Sequence, residues 1–170
     1  MSELTGDWDK ISKILNSARI KTALHSVAAK VGNYGASEVK KGIQSGAPGG
    51  QKFKALSSLT VQRKGSSKPL IDKGDLLGSI TYQVADEEHV YIGVKKGKSG
   101  DIAGVHEFGC TIEVTPKMRA FLHYNGVHLK NTTTYINIPP RPFLRPVLTS
   151  EKFQKKVGDI YLEALKVIFS

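Results

Sequence analysis

A chain of 170 residues is the length of one domain, enough to bury a core without disulfides or metals. Its single cysteine, Cys110, excludes an intramolecular disulfide and any multi-cysteine zinc site. Net charge is +10, from 25 Lys and Arg against 15 Asp and Glu, no run approaches the ~18 apolar residues of a membrane span, and the polar, acidic start Met1 to Asp9 is the reverse of a secretory leader, so a soluble protein made in the cytoplasm is expected.

Trp8, Ile11, Ile14, Leu15 and Ala18 lie at helical spacing, and Ile20, Leu24, Val27, Val31, Val39 and Ile43 continue it. The pattern predicts one long helix from about Asp7 to Gln44, or two with a break near Asn16-Ser17. Thr5 or Asp7 is placed to cap its start, because a side-chain oxygen there accepts an orphan N–H. Gly32 and Gly35 cost the middle about 1 kcal/mol each relative to Ala, and they admit a neighbouring backbone closely. Ser45-Gly46-Ala47-Pro48-Gly49-Gly50 ends the helix.

The stretch from Gln51 to Lys68 is basic and Ser-rich, with a short helical turn over Ser57 to Lys64 and a loop at Gly65-Ser66-Ser67. It is expected to be mobile in the isolated chain. Residues 1–75 hold 13 basic and 6 acidic side chains, so most of the positive excess lies in this half. Lys40, Lys41, Lys52, Lys54, Arg63, Lys64 and Lys68 crowd the region. Such a cluster favours phosphate backbones through counterion release, or is ordinary solvated surface that keeps the chain apart from itself. Only Phe53 is interleaved with these lysines, which argues against a base-stacking platform.

Asp72 reads as the cap of a turn holding Leu76 and Leu77. Ile80, Tyr82 and Val84 alternate with polar neighbours, Asp86-Glu87-Glu88 is an acidic turn, and Val90, Ile92 and Val94 alternate again, which predicts a hairpin. Lys95 to Gly100 reads as a basic loop bearing Lys95, Lys96 and Lys98, and Ile102 to Phe108 as a helical turn. Ile112 and Val114, then Phe121, Leu122 and Tyr124, then Tyr135, Ile136 and Ile138 read as further strands, with Gly126 to Thr134 as a hairpin tip. Beyond Arg145-Pro146, Phe153, Val157, Ile160, Tyr161, Leu165 and Ile168 recur at three and four, a terminal amphipathic helix. The expected fold is α+β in one domain over 1–170: an N-terminal helix (1–46), a basic mobile segment (47–75), a small, mostly antiparallel sheet with loops (76–145) and a C-terminal helix (146–170). Helices at the chain ends with strands between argue against a βαβ parallel sheet.

Ile138-Pro139-Pro140-Arg141-Pro142-Phe143-Leu144 is the stiffest stretch. Each proline fixes φ near −65° and donates no hydrogen bond, so the run is an extended lead-in that points Arg141 and Phe143 in set directions. Phe143 and Leu144 either plug the core or belong to an assembly surface. Arg141 either holds a carboxylate through two parallel bonds, on its own subunit or a neighbour's, or is an exposed arginine worth less than about 1 kcal/mol.

His106-Glu107 lacks the second histidine four residues on that a zinc-binding helix needs, and Cys110 has no orienting third group beside it. His123 and His128 lie five apart across Gly126, a spacing of little value to a metal. Gly97-Lys98-Ser99-Gly100 lacks the upstream glycine of a phosphate loop. No catalytic residue, metal or cofactor is expected.

Four pieces then stand in order: Ala55-Leu56-Ser57-Ser58-Leu59-Thr60, Lys68-Pro69-Leu70-Ile71-Asp72-Lys73-Gly74-Asp75-Leu76-Leu77-Gly78-Ser79-Ile80, Val105-His106-Glu107-Phe108-Gly109, and Ile138 to Leu144. This order resembles the tail-completion, or virion-morphogenesis, family of tailed bacteriophages, including the Mu-like phages, from about Phe53 to the C-terminus. Lys73-Gly74-Asp75-Leu76 replaces the commoner Thr-Gly-x-Leu, Cys110 follows the His-Glu-Phe-Gly piece, and Met118 to Tyr135 matches no pattern. The resemblance implies a non-enzymatic virion protein that completes the tail and joins it to the head as a ring of identical subunits, six in that family. Its partners would be itself, the tail tube protein and the head connector or neck proteins, with no membrane and no cofactor. It would be made in the host cytoplasm and end in the tail or neck.

The resemblance makes His106, Glu107, Phe108 and Gly109 a structural signature, with Phe108 in the core and Gly109 in a turn closed to other residues. Pro140, Arg141, Pro142 and Phe143 form the second motif. Lys52, Lys54, Arg63, Lys64, Lys95, Lys96 and Lys98 would face axial partners or the DNA lumen. Two other readings stand beside this one: a basic nucleic-acid-binding module acting outside virions, and a small hydrolase built on His106, Glu107 and Cys110.

Overall fold

The computed structural model describes residues 18–86 and 89–169, with Asp7 and Lys13 as isolated positions. The expected start of the first helix and the break near Asn16-Ser17 lie outside these residues. Helix α1 runs Ala18–Ser45. It buries Ile20, Val27, Ala28, Val31, Ala36, Val39 and Ile43, which fall on one face of a helix of 3.6 residues per turn. A tight turn at Pro48–Gly50 follows, and α2 spans Ser58–Lys64, capped by the Ser57 hydroxyl, which accepts the Thr60 N–H. Next comes α3, Asp75–Ser79, with Gly74 rather than the expected Asp72 at its N-cap.

Strands β1 (Ile80–Val84) and β2 (Val90–Val94) form the expected hairpin, with Ile80 opposite Val94 and Tyr82 opposite Ile92. This hairpin lies on α1, and the close approach needs the helix glycines. A Cβ on Gly32 would sit 2.3 Å from Tyr82 Cδ2, and one on Gly35 would sit 2.4 Å from Ile92 Cδ1. The core gathers where hairpin, α1 and the C-terminal helices meet, around Val39, Ile43, Ile80 and Phe143.

Helix α4 covers Lys98–Phe108, longer than the sequence pattern implies, so Lys98 opens a helix instead of belonging to a loop. Strand β3 (Cys110–Glu113) pairs antiparallel with β4 (Tyr135–Ile138), and this pair is a second two-stranded sheet, separate from the first. Between them, Phe121, Leu122 and Tyr124 are helical, not the expected strand. Helix α5 spans Pro116–Tyr124, with Thr115 Oγ1 accepting the Met118 N–H and proline in the first turn, both strong starting signals. The segment Gly126 to Thr134 is accordingly the α5–β4 connection, tied by Arg119, whose Nη1 donates to Lys130 O (2.9 Å) and Nη2 to Thr133 O (2.6 Å).

After the proline run, α6 (Arg145–Leu148) and α7 (Glu151–Phe169) are separate helices. Ser150 Oγ accepts the Phe153 N–H at the junction. Phe153 stacks on Tyr34 with ring centroids 5.7 Å apart. Glu38 on α1 accepts from Lys41 at 2.8 Å and from Lys152 on α7 at 3.1 Å. The Lys41 hydrogen bond and, after it, the Lys152 contacts hold its carboxyl below the usual range against the opposing effect of burial. No helix among the described residues is long and apolar enough to cross a membrane.

Candidate assembly site

The two motifs singled out in the sequence are two halves of one clasp. Ala103 and Glu107, one turn apart on α4, are its buried positions, so this face of the helix turns inward. Glu107 Oε2 accepts the N–H groups of Phe143 (2.8 Å) and Leu144 (3.1 Å), and Oε1 accepts that of Arg145 (3.0 Å). One carboxylate thereby satisfies the orphan donors that open α6, where a negative charge also suits the helix dipole. Next door, the Arg141 N–H donates to His106 O at 2.7 Å. Since Pro139, Pro140 and Pro142 have no N–H, His106 and Glu107 account for every backbone donor from 139 to 145.

Arg141 meets no carboxylate among the described residues and is not exposed. It is 7% accessible, and its Nε and Nη2 donate to the carbonyls of Lys54 (2.9 Å) and Ala55 (3.0 Å). The guanidinium pins the segment leading into α2 onto the proline run. Phe143, fully buried, is a core side chain. Pro140 is exposed and Pro142 half-buried.

Phe108 departs from expectation: it is 71% exposed. The inward line of α4 passes through Ala103 and Glu107, and the next residue is turned about 100° away from it. Gly109 does adopt a backbone closed to other residues, with φ 78° and ψ 168°. A Cβ there would also lie 3.0 Å from Pro140 Cδ and 3.1 Å from Ile138 O.

Beside the clasp opens a cleft of about 840 Å³, walled by Leu56, Leu59, Leu70, Ile102, Leu122 and Val127. Arg63, Lys64, Lys73, Asp72 and Asp75 also line it, and His106 reaches it from α4. Burial, then the charges of Arg141 and Lys64, push the His106 imidazole below its ordinary pKa, and its Nδ1 is buried with no hydrogen-bond partner. Leu70 stands at φ 59°, a left-handed backbone unusual for a branched side chain.

The remaining basic residues do not converge. Lys52 and Lys54 are exposed on the segment after Pro48–Gly50, Arg63 and Lys64 close α2, and Lys95, Lys96 and Lys98 are exposed at the β2–α4 junction. Cys110 is half-buried with its Sγ toward Thr111 O, while both oxygens of Glu107 are engaged by backbone. The His123 and His128 rings meet edge to face at 4.5 Å, with no cluster of three metal-ligating side chains among the described residues.

Strands β3 and β4 show the feature that sequence reading missed. Cys110, Ile112, Ile136 and Ile138 share one face of the pair and are only half-buried, and no side chain from Phe108 through Pro140 is fully buried. The pair makes at most marginal contact with the other elements. Phe121, Tyr124 and Tyr135 are 65%, 90% and 61% exposed. Residues 108–140 are thus an arm with no fully buried side chain, which meets the rest of the protein where Leu122 and Val127 help to wall the cleft.

A clasped body with an uncovered aromatic arm defines a protein built for assembly. Residues 7–166 match the model of the phage virion morphogenesis family, and the chain belongs to that family. It is a structural or assembly protein of a bacteriophage virion. Searches of curated proteins and of solved structures give no significant match.

Proposed function

We propose that this protein completes the phage tail and joins it to the head, acting as a ring of identical subunits at the head–tail interface. The observation that carries the reading is the arm of residues 108–140, a folded segment with no fully buried side chain. An isolated two-stranded sheet is marginal in water, so such an arm is stabilised by what covers it in the assembly. The clasp supports the same reading from the other side. It makes the proline run a rigid base, so that the arm leaves the body at a defined angle. Head-to-tail contacts between identical subunits close into a ring when the rotation permits. The tail tube below and the connector or neck above are its proposed neighbours, with the exposed Lys95, Lys96 and Lys98 turned toward them or toward the DNA path.

The test is the mass of the purified protein in solution, alone and mixed with assembled tails of its own phage. A ring, or a monomer that becomes a ring on tail ends, is the expected result. A monomer that ignores tails and shifts naked duplex DNA would replace this reading with the nucleic-acid-binding module.

A further inference from the structure

We propose that the arms of neighbouring copies join edge to edge, strand β4 of one copy adding to strand β3 of the next through main-chain hydrogen bonds. This contact deepens the ring reading and rests on it. Its basis is the backbone along β3 and β4.

The ribbon bonds inward at every second residue. The Val114 N–H donates to Thr134 O at 2.8 Å, and the register runs on from there without a bulge, so Ile112 with Ile136 and Cys110 with Ile138 are the bonded pairs. The residues between them, Thr111 and Glu113 on β3 and Tyr135 and Asn137 on β4, point N–H and C=O away from the strand opposite. Among the described residues none of these four makes a backbone hydrogen bond outside the ribbon, and Thr111 O meets only the Cys110 thiol, with Sγ at 3.7 Å. Both edges are therefore open, on a sheet with too few strands to be stable alone.

Nor are the edges guarded. Soluble monomers blunt an exposed edge with lysine, proline, a bulge or a covering element. Strand β4 reads Tyr135-Ile136-Asn137-Ile138, without charge or proline, and β3 carries only Glu113. No other element makes more than marginal contact with either strand.

The match between the two edges identifies the occupant as a second copy. Each edge offers two outward residues at alternate positions. Setting β4 antiparallel beside β3 of the next copy places Asn137 opposite Thr111 and Tyr135 opposite Glu113, now as hydrogen-bonded pairs. That is the register already present within one arm. Cys110, Ile112, Ile136 and Ile138 of successive copies then form one continuous apolar face. Pairing β3 with β3, or β4 with β4, would satisfy one edge and leave the other open. Because the two edges lie on opposite sides of the ribbon, the contact is heterologous and passes from copy to copy around a ring.

Cross-linking between two variants tests it. Glu113→Cys and Tyr135→Cys are each made in a Cys110→Ser background, and the two proteins are mixed, oxidised and run without reductant, both alone and on tail ends. Both positions are solvent-exposed, so the variants are expected to fold as the parent does. A hydrogen-bonded antiparallel pair holds its Cα atoms about 5.5 Å apart, within the span of a disulfide. A dimer band confined to the mixture is expected. A band of equal strength from either variant alone would mean like strand against like strand and overturn the proposal. So would the absence of a mixed band from samples whose mass shows a ring, which would give the edges to another partner and leave the ring reading standing. If the parent protein stays monomeric alone and on tails, the ring reading itself fails, and this contact with it. The second readout is Asn137→Pro, which removes an N–H that has no partner in the free chain, on an edge where proline is tolerated. The monomer's unfolding midpoint should hold while the concentration needed for assembly rises at least tenfold. Asn137→Thr keeps the N–H and should assemble as the parent does. Assembly of Asn137→Pro at the parent's concentration would overturn the proposal, as would an equal loss in Asn137→Thr, which would assign the effect to the side chain.

Discussion

Glu107 shows how much of this fold hangs on one side chain. Its two oxygens take three consecutive N–H groups, and the arrangement has no room for a donor. Glu107→Gln turns one acceptor into an NH2 that faces backbone N–H, and Glu107→Ala strands all three. Unfolding in urea should show a loss of about 3 kcal/mol or more for the alanine variant, since each unmet buried donor costs about 1–3 kcal/mol. Gly109 is fixed by backbone rather than by bonding. At φ 78° and ψ 168°, with Pro140 and Ile138 crowding the missing Cβ, Gly109→Ala should cost about 1–3 kcal/mol in the same assay. His106 makes a pH prediction. Its imidazole titrates below the ordinary value of 6.5 in the fold, through burial first and the neighbouring cations second. Above that value both states hold it neutral; as pH falls below 6.5 the unfolded chain takes the proton first, so stability drops until the folded pKa is passed. Comparing denaturation midpoints at pH 7.5 and pH 5 should give a smaller decline for His106→Gln than for the parent; equal declines would assign the acid sensitivity elsewhere.

The elements differ in how firmly they are held. Strands β1 and β2 lie on α1 with Ile80 at 2% exposure, whereas β3 and β4 have only half-buried residues on their better face. In the free protein, amide hydrogens of β3 and β4 should exchange well before those of β1 and β2, and assembly should slow the first pair selectively. Phe143→Ala, by contrast, opens a cavity in the firm part and should cost about 3–5 kcal/mol by urea denaturation. The firm part is also what the sequence displayed. Helix α1, the hairpin and α7 follow from regular spacing of Val39, Ile80, Ile92 and Phe153, because burial on one face leaves a periodic trace. Helix α5 left a weaker one. Phe121, Leu122 and Tyr124 look like a strand when counted as apolar residues, and the signal to weigh was Thr115-Pro116, an N-cap followed by a proline-initiated turn. The clasp was legible only in part. The prolines announced rigidity, but the partners of Glu107 lie 36–38 residues away, and no local pattern encodes a contact at that separation. Nor does composition show that Arg141 is buried against carbonyls or that Phe108 is left outside.

Across the whole molecule, the net charge of +10 sets ring formation and DNA binding against each other in one experiment. Bringing identical subunits of that charge side by side is opposed by mutual repulsion, which is longest in range when salt is low. Raising ionic strength from about 0.01 M to 0.15 M shortens the screening length from about 30 Å to about 8 Å, so most of that repulsion is removed. An apolar contact between subunits is little affected over the same interval, and solvent-exposed charge pairs are of small individual worth. Ring formation should therefore strengthen from low to moderate salt. Binding to duplex DNA runs the other way, because displaced counterions no longer drive it once they are plentiful in solution. Sedimentation of the protein and gel shift of a duplex, measured across the same salt series, should give curves of opposite slope. If self-association weakens with salt as steeply as duplex binding does, the subunit contact is made by charge and not by apolar surface, and the basic segments around Lys52 and Lys95 become the surface to mutate next.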